Sequence, residues 1–164
     1  MPTRRRGHWV VRDRGVAFGY GSAWVSLGDP ADAVLRIGAR SGRATRLRVG
    51  VFPLNLRPGL APVWVAMAKG DEVWRLDPVT GQPQAIIPVG NTPVDVAVGR
   101  RSLWLTNACD GTVSRIDPVT NAVVETINVG HHPHWLAADG ESVWVGLWEA
   151  DNVFFDCPIE IAPE

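Results

Sequence analysis

Short apolar runs alternate with clusters of Gly, Pro, Asn and Asp along the chain. The segment 94–130 shows this most clearly, with four runs of five to seven residues: Val94–Val98, Ser102–Thr106, Thr112–Asp117 and Val123–Val129. Runs of this length, rich in Val, Ile, Thr and Trp and bounded by turn residues, are typical of β-strands. No window has the 3.6-residue periodicity of an amphipathic helix. The pattern therefore predicts an all-β chain.

The strand pattern repeats at a constant interval. A tryptophan lies inside an apolar run of every unit, a Val-Gly pair ends a unit, and a proline follows that glycine by three residues. An Asp-Pro pair marks a turn in two of the units. The positions that repeat are Trp24, Trp64, Trp104 and Trp144; Gly50, Gly90 and Gly130; Pro53, Pro93 and Pro133; and Asp77 and Asp117.

Repeats of about 40 residues with four strands each are the signature of β-propeller blades. The sequence predicts about three and a half to four antiparallel blades, and thus an incomplete propeller. The fourth unit diverges, since Cys157 stands where Asp117 stands in the third. The predicted division is an N-terminal extension at 1–15 and blades at 16–50, 54–90, 94–130 and 135–164, the last one partial.

An open arc of blades exposes apolar faces and strand edges at both ends. Three arrangements would cover them, in this order of preference. The chain is a fragment of a longer protein, or two chains pair to complete one ring, or a four-bladed ring closes with His8–Arg12 as the missing outer strand.

The best copy of the repeat resembles the YVTN-type bacterial propellers. The similarity lies in Ser102–Asn107, Asp110–Pro118 and Thr126–Gly130, and it extends from residue 16 to about residue 155. Relatives of that type include the virginiamycin B lyases, and many are extracytoplasmic. The resemblance implies the blade architecture and leaves the activity open, since one fold serves many functions.

Three of the four histidines lie in the link between the third and fourth blades. Such links join an outer strand to the next innermost strand near the central channel, where propellers assemble ligand sites. His131, His132, His134 and Trp135 are therefore the candidate binding residues. Imidazoles bind metals or move protons near neutral pH. Solvated histidines in a turn explain the cluster as simply and are favoured, because no carboxylate or thiolate accompanies them, and no metal site is predicted.

The lyase relatives imply a more specific expectation. Their signature is a Glu-Pro-His-Gly turn, a Trp-Phe-Thr-Glu strand end that helps to hold Mg²⁺, and a histidine from the equivalent turn one blade earlier. Pro133 and His134 match the central pair. Leu147 stands where the strand-end Glu belongs, and Val94 stands where the earlier histidine belongs.

The turn itself also departs from the lyase pattern, since His132 replaces its Glu and Trp135 replaces its Gly. His134 and Glu149, which comes two residues late, are the remaining catalytic candidates. Acid, base and metal must converge on one spot for such chemistry. A Mg²⁺-dependent carbon–oxygen lyase acting on a cyclic depsipeptide is therefore the alternative, and a non-enzymatic binding module without a cofactor is the primary prediction.

The formal net charge is −1, but its distribution is uneven. Residues 1–50 carry ten arginines and three aspartates, whereas the remainder carries six basic and fourteen acidic side chains. A basic first blade could bind nucleic acid or another polyanion through salt-sensitive contacts. A solvated strand face is favoured, because no nucleic-acid motif accompanies the charge. The arginines concerned are Arg36, Arg40, Arg43, Arg46 and Arg48.

The compartment and partner stay open at this stage. The chain has no signal-peptide pattern and no run of 18 apolar residues that would cross a membrane. Cys109 and Cys157 lack zinc or CxxC spacing, so free thiols are expected. The expected partner is a small molecule or a protein at the loop face around His131–Trp135 and its counterparts 91–95 and 51–55, with self-association as a further possibility.

Overall fold

The computed structural model describes residues 15–28, 30–130, 132–140, 142–148 and 157. Every regular element in these residues is a β-strand, as the alternation of apolar runs and turn residues predicts. Among them there is no helix long and apolar enough to cross a membrane. The four units of the repeat form four antiparallel sheets, here called blades one to four, and the prediction of an all-β, incomplete propeller is confirmed.

Blades one to three each contain four strands in sequential order, and the described part of blade four contains two. The strands are β1 Val16–Gly19, β2 Ser22–Leu27, β3 Ala33–Gly38 and β4 Ala44–Arg48 in blade one; β5 Pro53–Pro58, β6 Val63–Met67, β7 Glu72–Leu76 and β8 Pro83–Pro88 in blade two; β9 Pro93–Val98, β10 Leu103–Asn107, β11 Thr112–Asp117 and β12 Ala122–Asn128 in blade three; and β13 Pro133–Ala138 and β14 Val143–Leu147 in blade four. In blade three the predicted strands differ from these bounds by at most one residue at either end.

Successive blades pack through their first and second strands. The first strands β1, β5, β9 and β13 contact one another in order, and β2, β6 and β10 contact the first strand of the following blade. The repeated tryptophans lie in this packing. Trp24 joins one buried cluster with Leu56 and Val65 of blade two, and Trp64 joins another with Val96 of blade three. The core therefore lies between blades.

The links between blades share one backbone geometry. Phe52, Thr92 and His132 occupy the same position of the repeat and have positive φ angles of 58°, 54° and 41°. Their carbonyl oxygens accept hydrogen bonds from the backbone N–H groups of Ala68, Ala108 and Trp148. These bonds hold each link against the end of its blade's second strand. We call this end of the blades, with the links and the β6–β7 and β10–β11 turns, the link face.

The expectation of two free thiols is wrong. Cys109 and Cys157 form a disulfide with a Cα–Cα distance of 5.2 Å. Cys109 lies in the β10–β11 turn at the link face, whereas Asp117 ends β11 at the opposite face. Cys157 therefore does not take the place in blade four that Asp117 has in blade three. The covalent bond holds this residue away from the position that the repeat alignment assigns to it.

The disulfide has a measurable effect on stability. We expect Cys157→Ser to lower the free energy of unfolding by up to about 4 kcal/mol, because a bridge that closes a long loop restricts the unfolded chain. The two cysteines are 48 residues apart. Urea unfolding followed by circular dichroism measures the difference. Cys109→Ser should have the same effect, and the double variant should add nothing to either. Two reactive thiols in the unreduced native protein would contradict the assignment.

Candidate functional site

The histidine-containing link leads into an aromatic cluster at the link face. The backbone N–H of Trp148, just after β14, donates to the carbonyl oxygen of His132 at 3.1 Å. This bond brings the end of β14 beside the start of β13, which carries His134 and Trp135. His131 and Glu149, two other candidates from the sequence, lie outside the described residues.

The two indoles of the cluster lie side by side. The rings of Trp135 and Trp148 are stacked, with centroids 5.5 Å apart and an interplanar angle of 21°. The His134 ring is tilted against both, at 5.0 Å from Trp135 and 5.2 Å from Trp148. The Trp135 side chain is 55% exposed, which is unusual for so large an apolar group. The cluster thus offers an open aromatic surface with an imidazole at its edge.

A buried carboxylate lies beside this cluster. Asp95, on β9, is 2% exposed. Its carboxylate accepts hydrogen bonds at 2.9 Å from the backbone N–H of Val96 and, across the blade boundary, from that of Leu136 on β13. A guanidinium nitrogen of Arg57 on β5 lies 3.6 Å from the same carboxylate. Asp95 therefore connects the first strands of blades two, three and four.

The ionisation of Asp95 reflects competing effects. Burial raises the pKa of its carboxyl above the ordinary value, while the N–H of Leu136 and the charge of Arg57 act in the opposite direction. The charge of His134 also lowers this pKa. Arg57, Asp95 and His134 thus form an electrostatically coupled group drawn from three successive blades, and the Arg57 side chain is 39% exposed.

A hydroxyl at one position of the repeat aligns neighbouring first strands. Thr106 accepts a hydrogen bond from the backbone N–H of Asp95 at 3.0 Å and lies 3.3 Å from the carbonyl oxygen of His134 in the next blade. Ser26, at the same position two blades earlier, accepts from the N–H of Gly15 and donates to the carbonyl oxygen of Leu54. Thr106 therefore sets the relative position of Asp95 and His134.

Sequence reasoning did not single out Arg57 or Asp95 as site residues. A signal for Asp95 was present, because it interrupts the apolar run Val94–Val98 with a charge. A carboxylate inside a strand that packs on both sides needs partners, and those partners come from other blades. No signal pairs it with Arg57, which lies in the preceding unit of the repeat.

The lyase-type metal site is not assembled by the described residues. Leu147 lies opposite Pro133 in the β13–β14 pairing, so an aliphatic side chain occupies the strand end where the lyase pattern has Glu. Val94 packs in an apolar cluster with Leu54 and Ala108. In the part of the chain that the structure describes, no group of three or more His, Cys, Asp or Glu side chains could hold a metal ion.

Two arginines of the basic first blade make contacts within the protein. Arg36 donates to the carbonyl oxygens of Pro78 and Val79 in blade two. Arg46 donates at 2.7 Å to the carbonyl oxygen of Ala31. These contacts supply a structural explanation for part of the positive charge. The other three arginines are exposed, Arg40 and Arg43 in the β3–β4 turn and Arg48 at the end of β4.

Comparisons with known proteins support the architecture. No family model and no curated protein sequence matches the chain. Hydrazine synthase from Kuenenia stuttgartiensis matches in structure with a TM-score of 0.68 at 18% identity, over 82% of this chain and 42% of that chain. The computationally designed Ika8 protein matches with a TM-score of 0.70 at 14% identity, over 81% and 42%. A chain of the mitotic checkpoint complex matches with a TM-score of 0.66 at 15% identity, over 76% and 40%.

Identities this low show the fold alone. The part of this chain that matches spans about two fifths of the length of each of these structures.

Asp95 should make stability depend on pH in a defined direction. The pKa of its carboxyl is raised in the folded protein, so the folded protein binds this proton more tightly than the unfolded chain does. The contribution of the proton to the free energy of unfolding is therefore complete below the unfolded pKa and is lost as pH rises through the folded pKa. Relative to Asp95→Asn, the wild type should therefore become less stable as pH rises through this interval. Urea unfolding at a series of pH values measures the difference.

Asp77 is the matched control for this experiment. The N–H groups of Thr80 and Val79 lower the pKa of its carboxyl. The stabilising contribution of Asp77 is present above its unfolded pKa and is lost as pH falls through its folded pKa. Relative to Asp77→Asn, the wild type should therefore become more stable as pH rises, the opposite of the Asp95 comparison. A difference between wild type and Asp95→Asn that does not change with pH would contradict the assignment.

Proposed function

We propose that this chain is a non-enzymatic propeller module that binds a ligand at the link face, around Trp135, Trp148 and His134. The observation that carries the proposal is the convergence of three first strands. They place the Arg57–Asp95 pair and the His134 imidazole beside a stacked indole pair, of which Trp135 is exposed and Trp148 is partly buried. Small-molecule sites combine an apolar surface with a few fixed polar groups in this way.

The chemistry of the surface favours a ligand with a planar ring. Indole faces bind aromatic rings by offset stacking and bind organic cations through the ring quadrupole. The polar groups beside them are fixed by backbone hydrogen bonds from Leu136 and Val96 to Asp95. The ring would therefore provide contact area, and the adjacent imidazole and guanidinium would orient polar substituents.

Trp135→Ala should abolish this binding. The measurement is saturation-transfer NMR with a panel of planar aromatic compounds, comparing wild type with the variant. Tyr20→Ala is the control, because Tyr20 is an exposed aromatic side chain, at 48% against 55% for Trp135, but lies in the β1–β2 turn away from the His134 cluster. We expect signals that disappear in Trp135→Ala and persist in Tyr20→Ala. Equal loss in both variants, or no binding by wild type, would contradict the proposal.

We also propose that two copies of the chain associate head to tail to complete a ring. The supporting observation is a gradient of burial at equivalent positions. Trp24 and Trp64 are 0% exposed, because each is covered by the following blade, whereas Trp144 is 56% exposed. At the other end Val16 is 65% exposed, whereas its counterpart Leu56 is 0% exposed.

The two exposed faces have the shapes that pack together between blades. Trp144 lies at the position where Trp24 and Trp64 pack against the first strand of the following blade. Val16 and Phe18 lie on the first strand of blade one, on the face that the preceding blade covers in blades two and three. Two head-to-tail contacts would join two arcs in a closed ring of eight blades. A closed two-fold arrangement of this kind covers both apolar end faces of each copy.

Light scattering after size exclusion tests this association. The wild type should have twice the chain mass of 17.8 kDa, and Phe18→Ser or Trp144→Ser should each be monomeric. An equimolar mixture of the two variants should recover a dimer, because one intact contact remains between them. Val119→Ser is the control, since Val119 is 84% exposed in a turn outside the proposed contact. A folded wild-type monomer would contradict the proposal.

We further propose kinship with the YVTN-type propellers, on the strength of the repeat pattern in blade three. The disulfide supports an extracytoplasmic setting, because such bonds persist in oxidising compartments. The lyase chemistry of some relatives is not part of this proposal, since Val94 and Leu147 replace the residues that it requires.

A further inference from the structure

A stacked arginine on the third strand of each four-stranded blade lies beside the repeated tryptophan. Arg36, Arg75 and Arg115 lie directly across the strand pair from Trp24, Trp64 and Trp104. The guanidinium carbons lie 5.9, 5.7 and 5.5 Å from the respective ring centroids. Stacking on the indole holds each guanidinium in a fixed orientation.

In two of the three cases the guanidinium binds a turn of the following blade. Arg36 donates at 2.9 Å to the carbonyl oxygen of Pro78, in the turn after β7. Arg75 donates at 2.9 Å to the carbonyl oxygen of Pro118 and to the side-chain oxygen of Asn121, in the turn after β11. Both turns begin with Asp-Pro. We call the site that binds such a turn, formed by the stacked arginine and tryptophan of the preceding blade, the socket.

Among the described residues, no such turn fills the third socket. Arg115 contacts groups of its own blade instead, with Ser102 Oγ at 3.0 Å and a Glu125 carboxylate oxygen at 3.4 Å. The repeat would supply the turn from residues beginning at Cys157, but the disulfide to Cys109 holds that residue at the opposite face. A cleft of about 610 Å³ opens here, lined by Trp104, Arg115 and the β9–β10 and β13–β14 turns. We call it the open socket.

The open socket also carries charges that the filled sockets lack. Arg100 and Arg101 lie in the β9–β10 turn that lines it. The equivalent turns of blades one and two have Tyr20-Gly21 and Leu60-Ala61 at these positions. Asp139, across the cleft, accepts a hydrogen bond from the backbone N–H of Ser142 in its own turn. The additional cations favour a ligand more acidic than the turns bound in the other two sockets.

We propose that the open socket binds an acidic, Asp-Pro-containing β-turn of a partner polypeptide. Arg115 donates to the carbonyl oxygens of the turn, as Arg36 and Arg75 do within the chain, and Arg100 and Arg101 interact with its carboxylates. The site lies at the opposite face from the aromatic cluster, so the inference is independent of the function proposed for the link face.

The probe for this test is a backbone-cyclised peptide that carries the chain's own sequence from Ile116 to Val123 with Val119→Glu and Ala122→Glu, two exposed positions at which the added carboxylates can reach Arg100 and Arg101. Cyclisation holds the turn and removes most of the ordering cost of binding. Titration calorimetry with wild type should show saturable one-to-one binding. Arg115→Ala should weaken it by about tenfold or more, the usual effect of losing hydrogen bonds from a charged donor. Arg115→Lys should also weaken it, because the ammonium lacks the planar fork.

Two comparisons make the outcome decisive. Arg40→Ala, a change of an exposed arginine outside the cleft, should leave peptide binding unchanged, whereas the Arg100→Ala, Arg101→Ala double variant should weaken binding and reduce its dependence on salt. Thermal melting by circular dichroism verifies that each variant is folded. The proposal is overturned if the peptide does not bind, or if Arg115→Ala binds it as well as wild type. It is also overturned if inorganic phosphate displaces the peptide at equal concentration, which would indicate a general anion site.

Discussion

The tryptophan in the second strand of blades one to three is the contact on which the arc depends. It buries a large apolar area against the following blade and at the same time supports the arginine of its own third strand. A single blade cannot bury this side chain, so each blade is stabilised chiefly by its neighbour. Stability in such arrays is approximately a sum of nearest-neighbour terms. The position of Trp24, Trp64 and Trp104 in the repeat therefore determines how the sheets are stacked.

The strands and their stacking could be predicted from the sequence because they depend on features that recur from one unit of the repeat to the next. Trp, Gly and Pro at fixed spacing report local geometry, and local geometry is the same in every blade. The disulfide could not be predicted in this way. Cys109 and Cys157 are not in equivalent positions of the repeat, and their pairing brings a divergent segment to the link face.

The candidate site was predictable in location and only partly in composition. The link before β13 was identified from its histidines, but His132 serves a turn that the links share, as its positive φ shows. Asp95 acquires its role only when β5 and β13 flank β9, because Arg57 and the N–H of Leu136 come from those strands. The equivalent residues Asn55 and Trp135 share a backbone position with Asp95 and differ in chemistry. Variation at one position of a constant framework is how such scaffolds acquire specificity.

The socket beside each stacked arginine has a consequence for how such a chain changes in length during evolution. A duplicated unit would bring its own Asp-Pro turn, which would fill the socket of the former last blade, and its own Trp–Arg pair, which would create a new one. In a repeat of this kind the contact needed for addition is already present in the preceding unit, so no new interface has to arise. Blade number can then change by whole units, while the residues of the links diverge independently.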